Sequence, residues 1–395
     1  KTKMKTKKSP QLLFLLVLLG IFSVTTLWTT DAAAQRRLRQ RQTFSQQSVT
    51  QNVQTRSTGQ NSPQQTPTPK PEKQNYALLI GINKYAADTE TLRRKNSEER
   101  GYLAFNSLKY CIADMEGLRN ALVKGKYADK ENIILLTDDN KDENRRPTCA
   151  NIIKYLNEFN SKAKDNDAIL VAFAGHGVAL PSTQNNQNGT QSYLCPMDAE
   201  VSRNTDSGEW ETNNSLIPLS LLFSGSEEKR GVRKIAILDA CRNVGEVQGG
   251  GRSGMSFVRG GESQSCDLPN FQEDDLARFK KLDRFASCAE GQRAYEDPNK
   301  QHGVYSNFLI EGLGGKADTD NNGEITIYEL AQYVAGNTYE YVQDTFKQEQ
   351  SPTYSSSESV PFTIAFCTKQ KIPPPPPPPI PPPPKSKSLS NPIVK

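Results

Sequence analysis

The chain has 395 residues, 35% hydrophobic and 24% charged, with a formal net charge of +5. Residues 1–75 carry 12 Lys/Arg against 2 Asp/Glu, residues 369–395 carry 5 Lys and no acid, and residues 76–368 are left with a net charge of −10. An acidic middle disfavours nucleic acid as its partner, whereas the basic ends suit an anionic membrane or an envelope polymer.

The N-terminus places Lys1, Lys3, Lys5, Lys7 and Lys8 before an apolar run from Leu12 to Trp28, followed by Ala32-Ala33-Ala34. This is the layout of a secretory signal, with an uncleaved single-pass anchor as the alternative, so residues 1–34 predict an exported or membrane-anchored protein. Residues 35–73, rich in Gln, Ser, Thr and Pro, predict a disordered linker. Seven cysteines are an odd number for an exported chain, which rules out complete internal pairing. No disulfide framework is required, because a segment of this size buries a full core.

From residue 74 to 368 apolar runs alternate with helical periodicity. Tyr76 to Gly81 reads as a buried strand, Ala113 to Leu122 as a helix, Asn132 to Thr137 as a strand, and Pro147 to Ala163 as a helix. Ala168 to Ala174 and Lys234 to Ala240 are two more strands, and Phe285 to Ala289 and Phe362 to Phe366 the fifth and sixth. Val304 to Gly312 and Ile327 to Tyr341 are the last helices. This alternation predicts one α/β domain, a mostly parallel sheet covered on both faces. The Gly/Ser-rich stretch 243–283, with Arg252, Arg259, Lys280 and Lys281, predicts a mobile loop inside that domain.

Two of the strands end in chemistry. Ala168-Ile-Leu-Val-Ala-Phe-Ala leads into Gly175-His176-Gly177, and Lys234-Ile-Ala-Ile-Leu leads into Asp239-Ala240-Cys241-Arg242. Parallel sheets carry their functional loops at the carboxyl ends of strands. A cysteine and a histidine placed there, about one crossover helix apart, can meet as nucleophile and proton-transfer partner. Either segment alone is weak, since a lone buried cysteine usually behaves as a small hydrophobe. The two together, in a chain with only two histidines, point to a cysteine peptidase.

These residues resemble the caspase-like clan of cysteine peptidases, closest to bacterial metacaspases and paracaspase-like proteins. The resemblance rests on Leu78 to Tyr85, Cys111-Ile-Ala-Asp114, Gly175-His176-Gly177, Asp239-Ala-Cys241-Arg242, and Ser287-Cys-Ala followed by Ala294-Tyr295-Glu296. It implies a caspase-like three-layer α/β/α sandwich with a mostly parallel six-stranded sheet. It implies Cys241 as nucleophile, His176 as acid/base, and the N–H groups of Gly177 and Cys241 as the oxyanion hole. Caspases that cut after aspartate have Gln two positions before the cysteine, where this chain has Asp239. The resemblance therefore implies a pocket of Asp114, Asp239 and Glu296 for Arg or Lys, with polypeptides as substrates and self-cleavage in 243–283. No cofactor is required.

Asp318-Thr-Asp320-Asn-Asn322-Gly323, followed by Glu329, matches a calcium-loop pattern, with Glu324 offering a carbonyl. The competing reading is an Asp/Asn/Gly turn capping the helix that starts near Ile327. Beyond residue 368, prolines 373–379 and 381–384 favour an extended rod, read as a stiff spacer or as a ligand for a proline-binding partner. A non-proteolytic scaffold of the same fold and a calcium-binding surface module are the alternatives to the peptidase reading.

Overall fold

A computed structural model describes residues 73–95, 100–182, 189–204, 206–223, 231–241, 255–259, 262–264, 281–289 and 292–368. Residues 1–72, where a signal or anchor and a linker are expected, lie outside the described residues, as do Arg242, Arg252, Lys280 and the proline-rich tail. Among those described, no helix is long and apolar enough to cross a membrane.

In chain order the strands begin with β1 (Asn75–Gly81), β2 (Arg100–Phe105), β3 (Ile133–Thr137), β4 (Ala168–Ser182) and β5 (Gly189–Leu194). Next come β6 (Ser202–Asn204), β7 (Trp210–Glu211), β8 (Ile217–Pro218), β9 (Arg233–Cys241), β10 (Met255–Arg259) and β11 (Glu262–Gln264). The remainder are β12 (Leu282–Ala286), β13 (Glu296–Asp297), β14 (His302–Gly303), β15 (Glu324–Thr326), β16 (Thr353–Ser356) and β17 (Thr363–Phe366). The helices are α1 (Thr89–Lys95), α2 (Cys111–Lys124), α3 (Cys149–Lys162), α4 (Val304–Glu311) and α5 (Ile327–Phe346).

The central sheet runs β16-β12-β9-β4-β1-β3, with β5 and β8 extending it beyond β4. Neighbours from β12 to β3 are parallel, and β16 is antiparallel. Side-chain alternation divides the strands between two cores. Tyr76, Leu78 and Ile80 pack with Ile169, Val171 and Phe173 against α3. Ala77 and Leu79, with Leu170, Ala172, Ile235 and Ile237, pack against α2, α4 and α5. The expected sandwich is present. Gly81 is required where β1 meets α2, since a Cβ there would lie 2.6 Å from the Cys111 carbonyl oxygen.

Two expectations need correction. The segment 362–366 is a strand, but β17 pairs with β15 in a separate ribbon, and the sixth strand of the central path is β16. β16 is Thr-Tyr-Ser-Ser at a sheet edge, too polar to announce itself by hydrophobic pattern. The stretch expected to be a mobile loop contains a hairpin, β10 with β11, and β10 pairs antiparallel with β2. Together with β6 and β7 these strands form a second, five-stranded sheet.

Candidate active site

β4 and β9 run side by side in parallel register, Ala174 opposite Asp239, Gly175 opposite Ala240 and His176 opposite Cys241. The two expected dyad positions are therefore direct neighbours, one strand spacing of about 4.8 Å apart, at the carboxyl end of the sheet. β4 continues past His176, and Gly177 opens its antiparallel pairing with β5, opposite Leu194.

His176 is fully buried. Its Nε2 lies 2.8 Å from the carbonyl oxygen of Asn106, the residue directly after β2. A carbonyl only accepts, so Nε2 carries the proton, and the neutral ring keeps its lone pair on Nδ1. The His176 backbone N–H donates to the Tyr85 hydroxyl at 2.7 Å. The Tyr85 ring packs on the imidazole with centroids 4.9 Å apart, and Phe105 lies at 6.0 Å. Burial holds the Tyr85 phenol well above its ordinary pKa, so it stays neutral. Gly175 makes room for this arrangement, because a Cβ there would meet the Tyr85 oxygen at 2.7 Å.

Asp114 and Asp239, both buried, meet the start of α4. Asp114 Oδ1 accepts from the Gly303 N–H and from His302 Nδ1, each at 2.9 Å. Asp239 continues the face of Ile235 and Ile237, and its Oδ2 accepts from the Ser306 hydroxyl at 2.6 Å. Gly303 is the N-cap of α4, and a helix N-terminus favours nearby carboxylates. Glu296, on β13, accepts the N–H groups of Lys109 and Tyr110 at 3.3 and 3.2 Å, just ahead of α2. Gln350, fully buried, fixes the approach to Glu296: it accepts the Tyr295 N–H at 3.0 Å and donates to the Ser287 carbonyl at 2.8 Å.

Residues 74–363 match the family model of the caspase domain. This chain belongs to the caspase-domain family. It is 31% identical over 169 residues to metacaspase-1 of Eremothecium gossypii, covering 42% of this chain and 31% of that protein. Metacaspase-3 of Arabidopsis thaliana is 28% identical over 186 residues, 46% of this chain and 42% of that protein. Metacaspase-1 of Saccharomyces cerevisiae (strain YJM789) is 27% identical over 168 residues, with coverage of 42% and 33%. The chain thus spans well under half the length of these relatives.

Within the caspase domain, the Asp318 to Glu329 loop brings the carboxylates of Asp318, Asp320 and Glu329 within 4.8 Å of one another. Protein donors already engage these oxygens. Asp318 accepts the N–H groups of Asn322 and Gly323, Asp320 accepts from Asn322, and Asn322 accepts the Glu324 N–H. Glu329 receives Thr319 on one oxygen and Thr326 on the other. Thr326 and Glu329 form a capping box on α5, so the helix is capped by Thr326 and not by the Asp/Asn/Gly turn before it. Three other cysteines carry thiols that stay protonated near neutrality. Burial pushes Cys149 and Cys195 up, and burial with a hydrogen bond to Asp318 pushes Cys367 up to about 11.

Sequence reasoning assigned no site role to Tyr85, Asn106, His302, Ser306 or Gln350. Two of these left a signal: Tyr85 closes the Leu78 to Tyr85 motif, and His302 is the second histidine of a two-histidine chain, six residues beyond Glu296.

Proposed function

We propose that this protein is a cysteine endopeptidase that hydrolyses peptide bonds after Arg or Lys. The observation carrying the reading is the register of His176 with Cys241 on adjacent parallel strands, with His176 Nε2 committed to the Asn106 carbonyl. The thiol proton passes to His176 Nδ1, and the thiolate adds to the scissile carbonyl. The backbone N–H groups of Gly177 and Cys241 receive the oxyanion. As the tetrahedral adduct collapses, the C–N bond breaks and the leaving amine takes the proton from Nδ1. Water then adds to the thioester with His176 as base, releasing the acid and the thiol, and the atoms balance without a cofactor.

Asp114, Asp239 and Glu296 supply the specificity in this reading. Three carboxylates around the first turns of α2 and α4 suit a guanidinium or ammonium, which forms charge-assisted bonds with them. The same preference directs self-processing after a basic residue in the 243–283 connection.

The test uses the full chain and fluorogenic peptides ending in Arg, Lys or Asp, each with calcium and with chelator. Arg and Lys turnover is expected, falling by roughly three orders of magnitude or more in Cys241→Ala and in His176→Ala. Turnover after Asp would overturn the acidic pocket while keeping the dyad. Turnover that survives Cys241→Ala would overturn the nucleophile.

A further inference from the structure

The path of the central sheet ends in two strands of different character. β16 closes one side with Thr-Tyr-Ser-Ser, and β3 closes the other with Ile-Ile-Leu-Leu-Thr. Among the described residues β3 pairs with β1 alone, in unbroken register from Ala77 opposite Ile133 to Gly81 opposite Thr137. A strand bonded on one side presents N–H and C=O groups on the other, and proteins ordinarily blunt such an edge with Lys, Pro or a bulge. β3 carries none of these.

A groove of about 400 Å³ runs along this edge at Ile133, Ile134 and Leu135. Its ionic rim sets three cations, Arg119, Lys130 and Arg145, against one acid, Glu131. The cations come from both faces of the sheet. Arg119 is on α2, which packs on the face of Ile133 and Leu135. Arg145 precedes α3, which packs on the face of Ile134, and its guanidinium lies over the α3 residue Tyr155, 5.3 Å from the ring centre. None of the three cations is in an ion pair among the described residues. Residues 76–368 carry a net charge of −10, so this rim reverses the charge of the domain locally.

We propose that the β3 edge is a docking site for an extended acidic segment of a partner polypeptide, which joins the sheet as a further strand. Main-chain bonds along Ile133 to Leu135 hold the segment. Its side chains alternate between the two faces, so adjacent acids reach Arg119 on one side and Arg145 on the other. Charge selects this occupant over two others. The ends of the chain itself are basic, +10 over residues 1–75 and +5 over residues 369–395, and the rim repels them. A second copy pairing β3 with β3 about a two-fold axis sets each basic rim against its twin. β1 separates β3 from β4, the strand of His176, so docking at this edge requires no chemistry at the dyad.

The experiment uses the full chain carrying Cys241→Ala and three peptides, followed by calorimetry and hydrogen-exchange mass spectrometry. The first peptide is acetyl-Val-Glu-Glu-Val-Glu-Glu-Val amide. The second replaces every Glu with Gln. The third keeps the acids but is N-methylated at two adjacent central residues, which blocks both edges of the peptide. The acidic peptide is expected to bind, to slow exchange in the segment 132–136, and to weaken steadily between about 50 and 500 mM salt. Arg119→Gln combined with Arg145→Gln is expected to weaken it about tenfold. The Gln peptide and the N-methylated peptide are expected to bind at least tenfold more weakly than the acidic one. Equal binding of the Gln peptide would overturn the acidic partner, and equal binding of the N-methylated peptide would overturn strand addition. Protection of β16 in place of β3, or no binding up to about 1 mM, would overturn the site itself. Protection of 132–136 that rises with protein concentration in the absence of peptide would make the occupant a second copy and overturn the proposal. Should the double variant fold poorly, the three peptides on otherwise unsubstituted protein decide alone.

Discussion

Tyr85→Phe removes a single oxygen from beneath the proposed acid/base. The ring contact with His176 at 4.9 Å and the Asn106 bond to Nε2 are left in place. What disappears is the acceptor for the His176 N–H, 2.7 Å away in a fully buried setting. A buried amide that loses its acceptor costs ~1–3 kcal/mol. With an unfolding entropy of about 2.1 cal/mol/K per residue over a domain the size of 74–363, that is a fall in Tm of roughly 2–5 °C. The peptide carrying His176 is also freed to relax, and displacement of a catalytic ring by a fraction of an ångström lowers kcat by ~10-fold or more. KM should hold, because the carboxylates proposed for the pocket are anchored at the starts of α2 and α4. Differential scanning calorimetry and steady-state kinetics on an Arg peptide measure the two effects. Wild-type Tm together with wild-type kcat would show that the hydroxyl does not anchor His176.

The buried pair of Arg233 with Asp283 joins β9 to β12, and Tyr354 on β16 donates to the same carboxylate at 2.7 Å. Asp283→Ala strands the guanidinium and should cost ~3–5 kcal/mol in urea unfolding; a loss below about 1 kcal/mol would refute the strut. At the α5 cap, Thr326→Ala should cost ~1 kcal/mol. Burial raises the pKa of Glu329, but hydrogen bonds from Thr326 and Thr319 outweigh it and hold the carboxyl below its ordinary value. A depressed carboxylate stabilises above its unfolded pKa and loses that contribution as pH falls through the folded one. Glu329→Gln should therefore flatten the acid limb of the stability profile, and an unchanged limb would assign the acid sensitivity elsewhere.

The hydrophobic skeleton was readable because β1, β4, β9 and β12 are apolar runs with parallel neighbours, and the order of these runs placed His176 and Cys241 at strand ends. The partnerships of polar residues were not readable. Asp114 meets Gly303 across 189 positions and Asp239 meets Ser306 across 67, so nothing local in either segment signals the other. Hydrophobic pattern identified 362–366 as a strand but could not choose its partner, and it passed over β16 because an edge strand tolerates Thr and Ser. The β10–β11 hairpin was hidden for a related reason: glycine-rich flanks suggest freedom, whereas strand pairing needs only backbone groups.

That hairpin changes what a break in the connection would do. β10 and β11 are tied to β2 from one side of residues 265–280, while β12 on the other side is locked between β9 and β16. A cut anywhere in 265–280 leaves each new end stitched to the body through its own ladder. The nicked protein would migrate as two pieces in denaturing gel and as one particle in solution, a two-chain species whose halves share the central sheet.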